Sequence, residues 1–209
     1  MAELVFYTNP QSRGRIVRWM LEEVGAPYEV RTKGYAGDLE SADYRAVNPM
    51  MKLPSIVHGG QVVTECAAIC AYLADAFPEA GLAPAPADRA DYYRWLFFAA
   101  GPVEAAVVDR TLGVTVSPEQ SRMVGYGTYD RMVDTLEEAV TGKTFIAGDR
   151  FSAADVYVGA QIMWGTGFGT LSKRDAFMAY LGPLLERDGY KRASEKDDAL
   201  AQEMASEAA

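Results

Sequence analysis

The chain has 209 residues, room for one large domain or two small ones, and 49% of them are hydrophobic, the balance of an ordinary globular protein. Its net charge of −9 and sequence pI near 4.7 argue against a nucleic-acid or anionic-membrane partner. No apolar run approaches the roughly 20 residues that span a bilayer, and no basic stretch followed by an apolar signal core opens the chain, so the expected location is the cytoplasm.

The first apolar run, Leu4-Val5-Phe6-Tyr7, ends at Thr8-Asn9-Pro10-Gln11 and predicts a strand running into a loop. Ser12 is placed to cap a helix through Val24, with Ile16, Val17, Met20, Leu21 and Val24 on its core face and Gly25-Ala26-Pro27 as its stop. A second strand is expected over residues 28–31, then a loop holding Gly34 and Gly37, then a short helix over residues 41–47. Leu53-Pro54 opens the run Ser55-Ile56-Val57, and His58-Gly59-Gly60 turns the chain into Val62-Val63-Thr64, which reads as a β-hairpin. Ile69, Tyr72, Leu73 and Phe77 then share one helical face. The order βαβαββα predicts a small mixed sheet covered by helices.

Glu65 falls in the first turn of that last helix, where backbone N–H groups point outward and make an anion site. A carboxylate among those donors can neutralise an ammonium while the N–H groups hold a carboxylate, so the corner suits a zwitterionic, amino-acid-like group. If the Leu53-Pro54 peptide is cis, the Leu53 backbone presents its N–H and C=O to an extended peptide. The two cysteines, Cys66 and Cys70, lie one helical turn apart, and with a single histidine elsewhere they match neither a redox pair nor a zinc site. Both are expected to be buried small hydrophobes.

The run N-P-x-x-K-L-P-x-I-V…T-E-C-A-A-I-x-x-Y-L, from Asn48 to Leu73, resembles the glutathione-binding half of cytosolic glutathione transferases, whose pattern is NPxGKVPxL…TESxAIxxYL. The resemblance implies a thioredoxin-like fold for residues 1–78, glutathione as co-substrate held by Lys52, Leu53, Pro54, Glu65 and Cys66, no metal, and a homodimer. A bound thiol then needs neighbours that favour thiolate over its ordinary state, which titrates near 8.5. Ser12, with its hydroxyl beside the positive end of the first helix, is one candidate. Asn9 in the same loop and Tyr7 at the strand end are the others. Two positions depart from the pattern. Met51 stands where the family has glycine, so the backbone there is expected not to take a conformation reserved for glycine. Cys66 stands where the family has serine or threonine and is a much weaker donor.

Residues 79–87, rich in proline, glycine and alanine, read as a linker, and residues 88–209 as an all-helical domain. Tyr92, Trp95, Leu96, Ala99 and Val103 mark its first helix, which Gly101-Pro102 should kink or break. Ser117-Pro118-Glu119-Gln120 predicts a helix that continues through Met132, Leu136 and Val140 to Gly142. Phe151-Ser152-Ala153-Ala154-Asp155-Val156 carries a capping box, similar to one in transferases, ahead of a helix buried nearly all round. The stretch from Ser194 is charged and alanine-rich without an apolar face, and is expected to be a frayed helix or disordered tail.

The resemblance implies a two-domain glutathione transferase that joins the glutathione thiolate to a hydrophobic electrophile. Tyr35, Met51, Trp95, Phe98, Trp164 and Phe168 are the candidate walls of the electrophile pocket. The rivals are a glutathione-dependent peroxidase or disulfide reductase, for which Asn9 would matter more than Ser12, and a non-catalytic binding protein.

Overall fold

A computed structural model describes residues 3–207. The chain forms two compact units: the first takes in the chain up to Leu82 and again from Arg187, and the second spans Ala83–Glu186. No helix among the described residues is long and apolar enough to cross a membrane.

In the first unit a four-stranded sheet runs in the order β2-β1-β3-β4, with β1 at Leu4–Thr8, β2 at Glu29–Thr32, β3 at Ser55–His58 and β4 at Gln61–Thr64. Strands β1 and β2 are parallel, joined by helix α1 (Gly14–Val24), while β3 pairs antiparallel with both β1 and β4. This is the expected thioredoxin-like arrangement. Every residue of β1 is buried, as befits an inner strand covered on both faces. Gly59 and Gly60 have φ of 55° and 83°, the left-handed pair that a two-residue hairpin turn requires. Helices α2 (Ala42–Val47) and α3 (Cys66–Ala76) complete the order; the Ser41 hydroxyl caps α2 by accepting from the Tyr44 N–H.

The end of the described chain overturns the expectation for it. A 20-residue helix, α9 (Asp188–Glu207), lies along α1. It lacks an apolar stripe because charge and close approach hold it instead. Arg18 and Asp197 form a buried ion pair at 2.7 Å, and Arg187 grips Glu23 through two nitrogens at 2.8 Å each. Lys196 and Arg192 both reach Glu22, and the Tyr190 ring meets Trp19 edge-on at 5.0 Å. Burial alone would raise the Glu22 carboxyl, but hydrogen bonds from Lys196, Tyr28 and Arg192 hold it below its ordinary value.

In the second unit, α4 (Ala90–Phe98) passes into α5 (Glu104–Thr111) through a wide π-helical turn at Ala99–Val103, where Pro102 has no N–H to donate. The break falls where Gly101-Pro102 predicts it. The next helix differs from expectation: Ser117-Pro118 opens only a short turn at Gln120–Arg122, and α6 covers Tyr129–Val140. Gly127 at φ 67° stops helical continuation, and the Thr128 hydroxyl caps the new start from the Arg131 N–H.

Helix α7 (Ala153–Phe168) is buried on all sides over its first eight residues. Asp155 reaches back to the Ser152 N–H at 2.9 Å, and also accepts from the Ile146 N–H at 2.7 Å and the Tyr180 hydroxyl of α8 (Asp175–Leu185) at 2.8 Å. The cap thus ties a loop and two helices together. Burial pushes the Asp155 carboxyl above its ordinary range despite these donors.

Candidate functional site

Sheet register gathers the candidate residues of the first unit at one edge. Tyr7 pairs with Ser55 and Ser55 with Thr64, so the end of β1, the start of β3 and the end of β4 lie in one row. From that row α1 departs just beyond β1 and α3 departs just beyond β4, which brings two helix N-termini together. Their meeting is direct: the Cys66 thiol, in the first turn of α3, donates to the Arg13 carbonyl at 3.6 Å.

The side chains of Asn9 and Ser12 tie down the loop after β1. The Asn9 amide nitrogen donates to the Lys33 carbonyl at 2.9 Å, and its oxygen accepts from the Gln11 N–H at 2.9 Å. The Ser12 hydroxyl donates to the Asn9 carbonyl at 2.7 Å and accepts from the Gly14 N–H at 2.9 Å. Ser12 therefore serves the first turn of α1 from one residue before the cap position, which Arg13 occupies. Tyr7, also buried, accepts from Arg31 at 3.1 Å and packs on Tyr44 with ring centres 5.5 Å apart.

The segment from Asn48 to Ser55 is built on two polar side chains. Asn48 and the Tyr44 hydroxyl both donate to the Lys52 carbonyl, at 2.9 Å and 2.6 Å, and both meet the Ser55 hydroxyl. Burial raises the Tyr44 hydroxyl above its ordinary value near 10, with Ser55 and Asn48 pulling the other way. Tyr44 escapes the sequence reading because α2 has little pattern, although it alone on that helix is buried. The Leu53-Pro54 peptide is cis. The Lys52 side chain points to solvent. Met51 has φ 54°, so a side-chain-bearing residue does adopt the left-handed conformation where the sequence argues against it. The Met51 N–H bonds the Asn48 carbonyl at 2.9 Å, and the Asn48 side chain takes the Met50 N–H at 3.0 Å; these bonds hold the turn.

Glu65 stands exposed at the cap of α3 with φ 65°, and its carboxylate caps nothing in the helix. The carboxylate thus stays beside the outward N–H groups rather than being spent on them. Cys66 and Cys70 are buried free thiols. Of the remaining candidates, Tyr35 in the first unit is exposed. In the second unit Trp95 is buried with Phe98 edge-on at 5.6 Å, and Trp164 meets the exposed Phe168 at 6.1 Å.

Residues 12–76 match the model of the glutathione S-transferase N-terminal domain. Glutathione S-transferase GST-4.5 of Xanthomonas campestris is 28% identical over 186 residues, 82% of this chain and 89% of that protein. Glutathione transferase GST 23 of Zea mays is 29% identical over 88% of this chain and 85% of its own. Among solved structures, a sphingomonad glutathione S-transferase complexed with glutathione superposes with a TM-score of 0.75 at 26% identity, over 93% of this chain and 98% of that one. A glutathione transferase from Methylococcus capsulatus gives 0.74 at 27%, over 94% and 99%. The matching domain, the relatives spanning most of the chain and the shared two-part architecture agree: residues 12–76 carry a glutathione S-transferase N-terminal domain, and the chain is similar to glutathione transferases over most of its length.

Proposed function

We propose that the chain binds glutathione and transfers its thiolate to a hydrophobic electrophilic carbon. The observation that carries this reading is the row Tyr7, Ser55, Thr64, which sets Leu53-Pro54, the Glu65 corner and the start of α1 along one edge. Glutathione lies extended against the Leu53 backbone. Its γ-glutamyl ammonium meets the Glu65 carboxylate and its carboxylate meets the first N–H groups of α3. The Cys66 thiol contributes little to that grip, being engaged with Arg13. The sulfur then faces the first turn of α1.

Ser12 is the group we assign to the sulfur. To donate there its hydroxyl must leave the Asn9 carbonyl, and that carbonyl keeps the Ser12 N–H at 3.0 Å, so no acceptor is orphaned. The Gly14 N–H continues to polarise the oxygen. Asn9 has no such freedom: turning its amide outward breaks bonds to both Lys33 and Gln11. The bound thiol loses its proton to solvent, the sulfur attacks the electrophilic carbon, and the leaving group departs with the bonding pair. Ionisation and proximity supply the acceleration.

The aromatic groups Trp95, Phe98, Trp164 and Phe168 of the second unit are proposed to receive the electrophile. We also infer a homodimer, supported by the exposed Tyr93 and Phe97, one turn apart on α4.

Retention on immobilised glutathione, followed by assays with a model electrophile and with a peroxide, tests the function. Turnover of the electrophile is expected; retention without turnover would leave a binding protein, and no retention would leave only the fold. In the Ser12→Ala variant the bound thiol is expected to ionise at higher pH, toward the ordinary value near 8.5. An unchanged ionisation would refute the role given to Ser12.

A further inference from the structure

The second unit holds a cleft of about 340 Å3 at the end of α5 that the glutathione reading does not use. The chain curls back over that helix end: the Gly113 N–H bonds the Arg110 carbonyl at 3.2 Å and the Val114 N–H bonds the Asp109 carbonyl at 2.9 Å, with Gly113 at φ 71°. Asp109 and Arg110 line the cleft together with Val114, Val116, Tyr126 and Tyr129.

The two unlike charges are each fixed by a ring. The Tyr126 hydroxyl donates to one Asp109 oxygen at 2.7 Å, a bond that pushes the tyrosine up to about 12. The Arg110 guanidinium lies over the Tyr129 ring, its carbon 4.2 Å from the ring centre. Stacking occupies the flat face of the guanidinium and leaves its N–H edge available. Among the described residues neither Asp109 nor Arg110 takes part in an ion pair, with the other or with a third group. A lone carboxylate would select a cation and a lone guanidinium an anion. Both together, held apart and unspent, select a molecule that carries both charges.

We propose that this cleft binds an α-amino acid with an apolar or aromatic side chain, its carboxylate on Arg110, its ammonium on Asp109 and its side chain among Val114, Val116 and the tyrosine rings. The carbonyl end of α5 adds negative potential that favours the ammonium. The γ-glutamyl end of glutathione carries the same pair of charges, but its polar peptide body gains nothing from the apolar wall. The site is independent of the proposed transferase function, and glutathione binding reports on that function separately.

Calorimetric titration of the full chain with L-phenylalanine, with 3-phenylpropanoate and with 2-phenylethylamine tests the assignment, each run repeated under saturating glutathione. Phenylalanine is expected to bind with or without glutathione, and each singly charged analogue to bind about tenfold more weakly or worse. Arg110→Gln and Asp109→Asn should each weaken phenylalanine about tenfold. Arg110→Lys, which keeps the charge but loses the fork, should fall between Arg110→Gln and the parent chain. Unchanged circular dichroism and retention on immobilised glutathione show that the variants are folded. No heat with millimolar phenylalanine, equal affinity for the three probes, displacement by glutathione, or folded variants that bind like the parent chain would each overturn the proposal.

Discussion

Gly14 lies so close to Thr8 that a β-carbon on it would stand 2.0 Å from the Thr8 hydroxyl oxygen and 2.9 Å from that of Ser12. The Thr8 side chain therefore packs directly on the backbone of the first turn of α1 because residue 14 has no side chain. Among the described residues the Thr8 hydroxyl, itself buried, has no hydrogen-bond partner. Gly14→Ala is expected to cost about 1–3 kcal/mol by forcing the two elements apart. It should also lower glutathione turnover by displacing Ser12. Adding Thr8→Ala removes the clashing oxygen and should recover part of the stability. Chemical denaturation of the two single variants and the double checks this, and strictly additive effects would contradict a shared contact.

Met51→Gly is expected to stabilise the chain. A side chain at φ 54° costs about 1–2 kcal/mol, and the extra freedom glycine brings to the unfolded chain takes back about 0.5–1 kcal/mol. The net gain of roughly 0.5–1 kcal/mol should appear as a higher Tm. A lower Tm would mean that the methionine side chain packs more usefully than its backbone is strained.

Asp155 accepts from Ile146, Ser152 and Tyr180, so Asp155→Ala leaves buried donors unmatched and is expected to cost about 3 kcal/mol or more. The milder Asp155→Asn carries a pH signature. Burial raises the folded-state value of this carboxyl above its ordinary 3.8, so the folded chain holds the proton more tightly than the unfolded one. Its contribution is full below about 3.8 and is lost as pH rises through the raised value. Urea melts from pH 3 upward should show that slope in the parent chain and lose it in Asp155→Asn.

The clasp between α1 and α9 separates strong from weak charge pairs. Asp197→Ala strands the buried Arg18 and is expected to cost about 3–5 kcal/mol. Asp198→Ala removes only the partly exposed pair with Arg15 and should change stability by about 0.5 kcal/mol or less. Amide exchange should quicken along both helices in the first variant and in neither helix in the second. Equal effects would mean that apolar contacts such as Trp19 on Tyr190 hold the clasp.

The first unit is legible in the sequence wherever side-chain alternation and turn chemistry are local. The run Leu4 to Tyr7, the Gly59-Gly60 turn and the Ile69–Leu73 face each announce their element within a few residues. The capping box at Ser152 and the break at Gly101-Pro102 are local in the same way. Legibility ends where the partner is distant. Helix α9 buries Asp197 against Arg18, 179 positions away, so its core-facing residues look like surface residues. Tyr44 holds the Lys52 carbonyl from a helix with almost no periodicity. The late start of α6 is hidden in the sequence because the proline signal at Ser117-Pro118 precedes Gly127 and Thr128, the residues that set it, by ten positions. At Met51 the identity of the residue argues against the conformation that the Asn48 hydrogen bonds impose.

Because α9 docks on α1 across the whole intervening second unit, the N-terminal sheet and its helices are not a contiguous stretch of chain. During synthesis Arg18, Glu22 and Glu23 wait, without their counter-charges, until the ribosome releases residues 187–197. A nascent chain stalled before that point exposes a half-charged helix face, and excising residues 1–82 as a separate fragment would reproduce the same unfinished state.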